Sequence, residues 1–157
     1  MTQCRYIQSY KISYVESSAP CVLSPEYVTT SKQSALIFKD IYASEECIPM
    51  VKEYCYVLLL NNANRPLGYV KISEGGTDGT VIDNKLIIKA ALDVCATGII
   101  LCHNHPSNDS HPGKADLNRT ETLHKACELM DIRLLDHIIL AQDEYYSFSE
   151  EKTFELQ

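Results

Sequence analysis

The run Tyr54–Leu60, reading YCYVLLL, constrains the fold more than any other stretch of this chain. A strand with one wet face alternates apolar and polar residues. Seven apolar residues in succession instead specify a strand covered on both sides, and hence a sheet with structure packed over each face. A second short apolar run, Ile99-Ile100-Leu101-Cys102, carries the same implication. Between and after these runs, the spacing predicts helices. One starts at Asp83 as cap and runs from Asn84 to about Ala96, with Ile87, Ile88, Ala91 and Cys95 on its apolar side and Gly98 closing it. Another spans about Lys114 to Asp131, with Leu123, Ala126, Cys127 and Met130 as its stripe.

The remaining elements follow from local chemistry. Ser31 is placed to cap a helix over Lys32–Ile41, with Ala35, Leu36 and Phe38 inward. Asn61 to Pro66 forms a tight connection into a strand at Leu67–Ser73, making a hairpin with YCYVLLL. Leu134–Ala141 and Tyr145–Phe148 are strands about an Asp143-Glu144 turn. Alternating strands and helices define an α/β fold with a mixed β-sheet flanked by helices. The expected division is an N-terminal extension over residues 1–30, with one strand at Tyr6–Val15, a domain over 31–151, and a C-terminal tail over 152–157.

Composition narrows the function classes. A chain of 157 residues is one domain with room for a full core. A net charge of −7, with basic and acidic residues interleaved, gives no clustered positive surface for nucleic acid. The seven cysteines are odd in number and form no C-x-x-C, so neither a disulfide framework nor a cysteine zinc site is implied. Cys55, Cys95, Cys102 and Cys127 lie in apolar runs, where cysteine behaves as a small buried hydrophobe. With no signal-like N-terminus and no stretch approaching the ~20 apolar residues of a membrane span, a cytoplasmic location is expected.

The segment His103 to Asp116 carries the chemistry. Alternate residues of a strand point the same way, so His103 and His105 would project from one face about 6–7 Å apart. Asp116 falls on the helical stripe of Thr120, Leu123 and Cys127, which packs against the sheet and aims the carboxylate inward. Two imidazoles and one carboxylate leave the fourth position of a tetrahedral zinc open, the catalytic pattern. By residue type alone, an H-x-H pair also suits surface or core histidines, and an acid in a first helical turn also answers the helix dipole. Two look-alikes fail. In HNH nucleases the named residues are spread along a ββα unit, and zinc deaminases need H-x-E with a later P-C-x-x-C, which this chain lacks.

The string HNHPSNDSHPGKAD resembles the JAMM motif, H-x-H-P followed by an acid, in the form used by the RadC family of JAB/MPN domains. VLLLNNANRPLG and GGTDGTVID before it and LLDHIILAQDEYYSFSEE after it agree, so the similarity covers roughly Ser31 to Glu151. The resemblance implies a three-layer arrangement like that of cytidine deaminases, and a zinc-dependent peptidase or isopeptidase. It implies that His103, His105 and Asp116 hold the zinc, and that Glu53 is the general base for the attacking water. The residues alone do not single out Glu53, and Glu74 and Asp78 rival it. A peptide or isopeptide substrate follows, and direct nucleic-acid binding and membrane contact do not. Longer RadC proteins carry a helix-hairpin-helix segment ahead of this domain, for which residues 1–30 leave no room, and the family's DNA-repair label offers only an indirect role.

One position departs from the pattern. Similar domains have serine three residues before the ligand aspartate, understood to hold the developing oxyanion, and here that residue is Gly113. The alternative is therefore a catalytically weakened zinc-binding interaction module. Ser107 or Ser110 in the loop could stand in for the missing hydroxyl. His111 is expected in the loop near the site mouth, His124 on the surface, and His137 as a hydrogen-bonded core residue; none is needed for the metal.

Overall fold

The computed structural model describes residues 27–75 and 81–156. The strand expected at Tyr6–Val15, and Asp78, lie outside the described residues. The elements run α1 (Ser31–Ser44), β1 (Tyr54–Leu60), β2 (Pro66–Glu74), α2 (Asn84–Asp93), β3 (Gly98–Asn104), α3 (Lys114–Leu129), β4 (Arg133–Leu140), β5 (Glu144–Ser147) and β6 (Lys152–Glu155). They form one sheet in the order β2-β1-β3-β4-β5-β6, in which only β3 and β4 pair in parallel. The fold is thus α/β with a mixed sheet. Among the described residues, no helix is long and apolar enough to cross a membrane.

The doubly covered strand is observed. All seven residues of β1 are buried, and they divide by parity between two cores. Tyr54, Tyr56, Leu58 and Leu60 pack with Ile37, Phe38, Ile41 and Tyr42 of α1. Cys55, Val57 and Leu59 pack with Ile87 and Ala91 of α2 and Leu123 and Cys127 of α3. β3 obeys the same alternation: Ile100 and Cys102 face α1, whereas Ile99 and Leu101 face α2 and α3. His103, next in that second series, therefore faces α3.

Several local expectations are corrected. Thr30, not Ser31, caps α1, and it does so with a reciprocal capping box through Gln33. Leu36 lies outward at 41% exposure, with Ile37 taking the inward place. Asp83 caps α2 as expected, but the helix stops earlier. Cys95 takes a left-handed turn at φ 54°, leaving its thiol exposed, and Gly98 instead starts β3. Met130 is half exposed, beyond the end of the α3 stripe. The stretch expected to be a C-terminal tail supplies β6, which extends the sheet from β5.

Candidate metal centre

His103 and His105 sit where β3 runs out of the sheet, and Asp116 sits in the first turn of α3. The helix begins at Gly113, whose backbone N–H donates to Asp116 Oδ2 at 2.9 Å. That bond fixes the carboxylate while the inward stripe through Leu123 and Cys127 holds the helix on the sheet. The result brings three donors together: His103 Nε2 lies 3.0 Å from His105 Nε2 and 3.3 Å from Asp116 Oδ1, and His105 Nε2 lies 3.5 Å from Asp116 Oδ2. His103 is fully buried, and Asp116 nearly so.

The hydrogen bonds around this trio decide where its protons are. His105 Nδ1 lies 2.7 Å from the carbonyl oxygen of Asp109; a carbonyl only accepts, so Nδ1 carries the proton. For His103 two more side chains set the proton's place. Thr120 Oγ1 donates to the carbonyl oxygen of Asp116 at 2.7 Å. Its oxygen must then accept from His137 Nδ1, 2.6 Å away. His137 Nε2 is left with a lone pair, which accepts from His103 Nδ1 at 2.8 Å. In each neutral ring Nε2 is thereby the unprotonated nitrogen, the two pointing at each other and at a carboxylate that an added proton on either ring would meet. Three electron-rich donors at such distances repel unless a proton or a metal ion lies between them.

The donor set passes a geometric test for a metal. Donors on a tetrahedral zinc, 2.0–2.1 Å from the ion, lie about 3.3 Å apart, against the 3.0–3.5 Å observed. Among the described residues, His103, His105 and Asp116 form the group suited to holding a metal ion. The electrostatics agree. Burial alone would raise the Asp116 carboxyl, but hydrogen bonds to His103 and His105 overcome it and hold the group well below the usual carboxylate range. His105 is raised, chiefly by Asp116. His137 is driven well below the usual histidine range by burial and then by His103, as its neutral role in the relay requires.

Glu53 lies two residues before Cys55, which pairs with His103 across β1 and β3. Continued outward, that register sets Glu53 across from His105 and on the α3 face. Asn104 pins the approach to this position: its Oδ1 accepts from Tyr54 N at 2.8 Å, and its Nδ2 donates to the carbonyls of Pro49 and Lys52. Half-buried, Glu53 is raised by burial, a rise opposed by His103 and His105, reinforced by Asp116 and opposed again by Arg119. Its rival Glu74 is engaged by Lys52 and Lys71 at 2.7 and 3.2 Å, and these cations lower its pKa.

The other histidines fall as expected, with one addition. His111 is an exposed loop residue bonded to Asp109, His124 is exposed, and His137 is a fully buried, hydrogen-bonded core residue. The addition is that His137 and Thr120 orient a site histidine. Thr120 was visible on the inward stripe, but its pairing with His137 depends on β4 lying beside β3. Ser110 does not fill the place of the absent serine: it is fully buried and donates to Glu144 Oε1 at 2.6 Å. Ser107 is exposed, and Gly113 carries no side chain.

A mixed sheet with a His-x-His at a strand end and an inward acid on the following helix defines a JAB/MPN-type α/β domain. Comparison with known proteins makes the assignment specific: a family model described as the RadC-like JAB domain matches residues 28–153, and the chain belongs to that family. A UPF0758 protein of Flavobacterium johnsoniae is 38% identical over 133 residues, covering 85% of this chain and 56% of that protein. One from Coprothermobacter proteolyticus is 38% identical over 123 residues, 78% of this chain and 52% of its own length. Another from Chlorobaculum parvum is 42% identical over 97 residues, 62% and 44% respectively. The chain spans about half the length of these curated relatives.

Proposed function

We propose that this chain is a zinc-dependent hydrolase of peptide or isopeptide bonds, in which His103, His105 and Asp116 hold the ion and Glu53 is the general base. The observation that carries the reading is the convergence of His103 Nε2, His105 Nε2 and the Asp116 carboxylate, each side chain oriented by a further hydrogen bond. A bound zinc ion would supply Lewis-acid polarisation of the amide carbonyl and a water of lowered pKa. Glu53, raised by its half-buried position, is matched to take the proton of the attacking water and return it to the leaving amine. The His137–Thr120 relay keeps the proton of His103 on Nδ1, and Asn104 steadies the backbone that presents Glu53.

Zinc content and turnover, with and without chelator, test this together with Glu53→Gln. The substitution should leave zinc content unchanged and lower hydrolysis by about 10²–10⁴. Equal activity in both forms refutes the assignment of the base. A second reading, a metal-holding interaction module with little turnover, is favoured by one feature: Gly113 offers no hydroxyl and Ser110 is committed to Glu144. Stoichiometric zinc without hydrolysis of peptide or isopeptide substrates would select it. The acidic balance of −7 favours neither direct DNA contact nor an anionic surface, so any link to DNA repair would run through a protein partner.

A further inference from the structure

Beside the candidate metal centre lies a cavity of about 290 Å³ that the chemistry above does not use. Tyr42, Cys47, Met50, Leu140 and Ala141 contribute to its wall, which is mostly apolar, and His105 belongs to both the cavity and the donor trio. His105, just past the end of β3, is thus the residue that this space and the converging donors share. The cavity opens beyond the carboxyl ends of β3 and β4, the parallel pair of the sheet, where α/β folds bind their ligands.

We infer that this cavity receives a large apolar side chain, of the size of phenylalanine, leucine or methionine, on the residue flanking the bond to be cleaved. The inference rests on the hydrolase reading for the words "bond to be cleaved", and on the cavity itself for the rest. A dry cavity of about 150 Å³ holds a benzene molecule, so 290 Å³ admits a phenyl side chain with space for its stem. Tyr42 is committed to the carbonyl of Tyr54 through its hydroxyl, so its contribution to the wall is aromatic surface. Met50, 54% exposed at the lip, is a flexible residue that can fold over an occupant. An alanine in the same place would leave most of the apolar wall unfilled.

Binding of N-acetyl-phenylalaninamide and of N-acetyl-alaninamide to the purified chain, followed by backbone amide shifts, tests the inference. The phenylalanine probe should bind at least about tenfold more tightly and shift the amides of Ala43, Asn108 and Ala141. Ala43 is exposed at the end of α1 and also lines the cavity, so Ala43→Phe should obstruct it without unfolding the chain and abolish those shifts. Gln142→Trp, from an exposed position on another element, should do the same. Equal binding of the two probes, shifts confined to other surfaces, or binding untouched by both variants would overturn the inference. Binding decides the cavity and turnover decides the hydrolase reading, so the two fail separately.

Discussion

Thr120→Val removes one hydroxyl, leaves the side-chain volume nearly unchanged, and should weaken zinc binding at a residue that does not touch the ion. Thr120 Oγ1 accepts from His137 Nδ1 at 2.6 Å, and His137 is fully buried. Without that acceptor a buried N–H loses its partner, at a cost of about 1–3 kcal/mol. His137 can escape the cost by moving its proton to Nε2. That proton would then face His103 Nδ1 and force the His103 proton onto Nε2, among the metal donors. The metal-free chain can take this escape and the zinc-bound chain cannot, so the cost appears as weaker metal binding; loss of such supporting hydrogen bonds lowers affinity by about 10- to 100-fold, or about 1.4–2.7 kcal/mol. Competition against a chromophoric chelator measures this, with denaturant unfolding of the metal-free protein as the parallel reading. Thr120→Ser keeps both hydrogen bonds and should stay within about twofold of the parent. A Thr120→Val protein that keeps both its stability and its zinc affinity would refute the proton assignment.

Gly113→Ser should raise hydrolysis by about tenfold or more without changing zinc content, each tenfold being about 1.4 kcal/mol of transition-state stabilisation. Its new Cβ would lie 3.3 Å from Asp116 Oδ2, a tight contact that the carboxylate must relieve by a few tenths of an ångström, while the exchange of cap residue itself moves stability by no more than about 0.5 kcal/mol; steady-state kinetics and thermal unfolding read the two effects. The metal-free protein should be most stable near the ordinary histidine pKa of about 6.5. His137 is depressed in the folded chain, so unfolding takes up a proton and stability falls as pH drops below that value. His105 is raised, so its contribution is full below that value and is lost as pH rises through its folded pKa. Unfolding free energies across pH should show both limbs, with slopes no steeper than about 1.4 kcal/mol per unit per group, and His137→Gln should remove the acid limb alone. Asn104→Ala should cost about 2–3 kcal/mol by orphaning the groups it joins at Pro49, Lys52 and Tyr54, and should lower turnover more than zinc content.

What was legible in the sequence follows from the range of the interactions. The apolar run of β1 announced a doubly covered strand because burial on two faces leaves no polar alternation. Asp116 could be placed inward because it shares a helical stripe with Leu123 and Cys127, and both are buried. The H-x-H spacing placed both histidines at one strand end, where they meet the acid. Element ends were less legible, because they depend on single-residue conformations. Cys95 closes α2 in a left-handed turn that a non-glycine residue does not advertise. β6 was invisible for another reason: four residues, LysThrPheGlu, carry too little pattern, and they pair only because β5 offers an edge. The His137–Thr120 relay joins α3 to β4 across the sheet order, which no local pattern encodes. Glu53 became identifiable only through family resemblance, and the structure weakens Glu74 as its rival through the Lys52 and Lys71 ion pairs.

The central claim is that one cation belongs among His103, His105 and Asp116. Zinc K-edge absorption on reconstituted protein, with metal analysis of the same sample, tests it most directly. The account predicts one zinc per chain bound by nitrogen and oxygen alone at about 2.0–2.2 Å, with that signal lost in His103→Ala and His105→Ala. Failure to retain stoichiometric zinc after reconstitution, or a sulfur shell near 2.3 Å drawn from the cysteines, would contradict it.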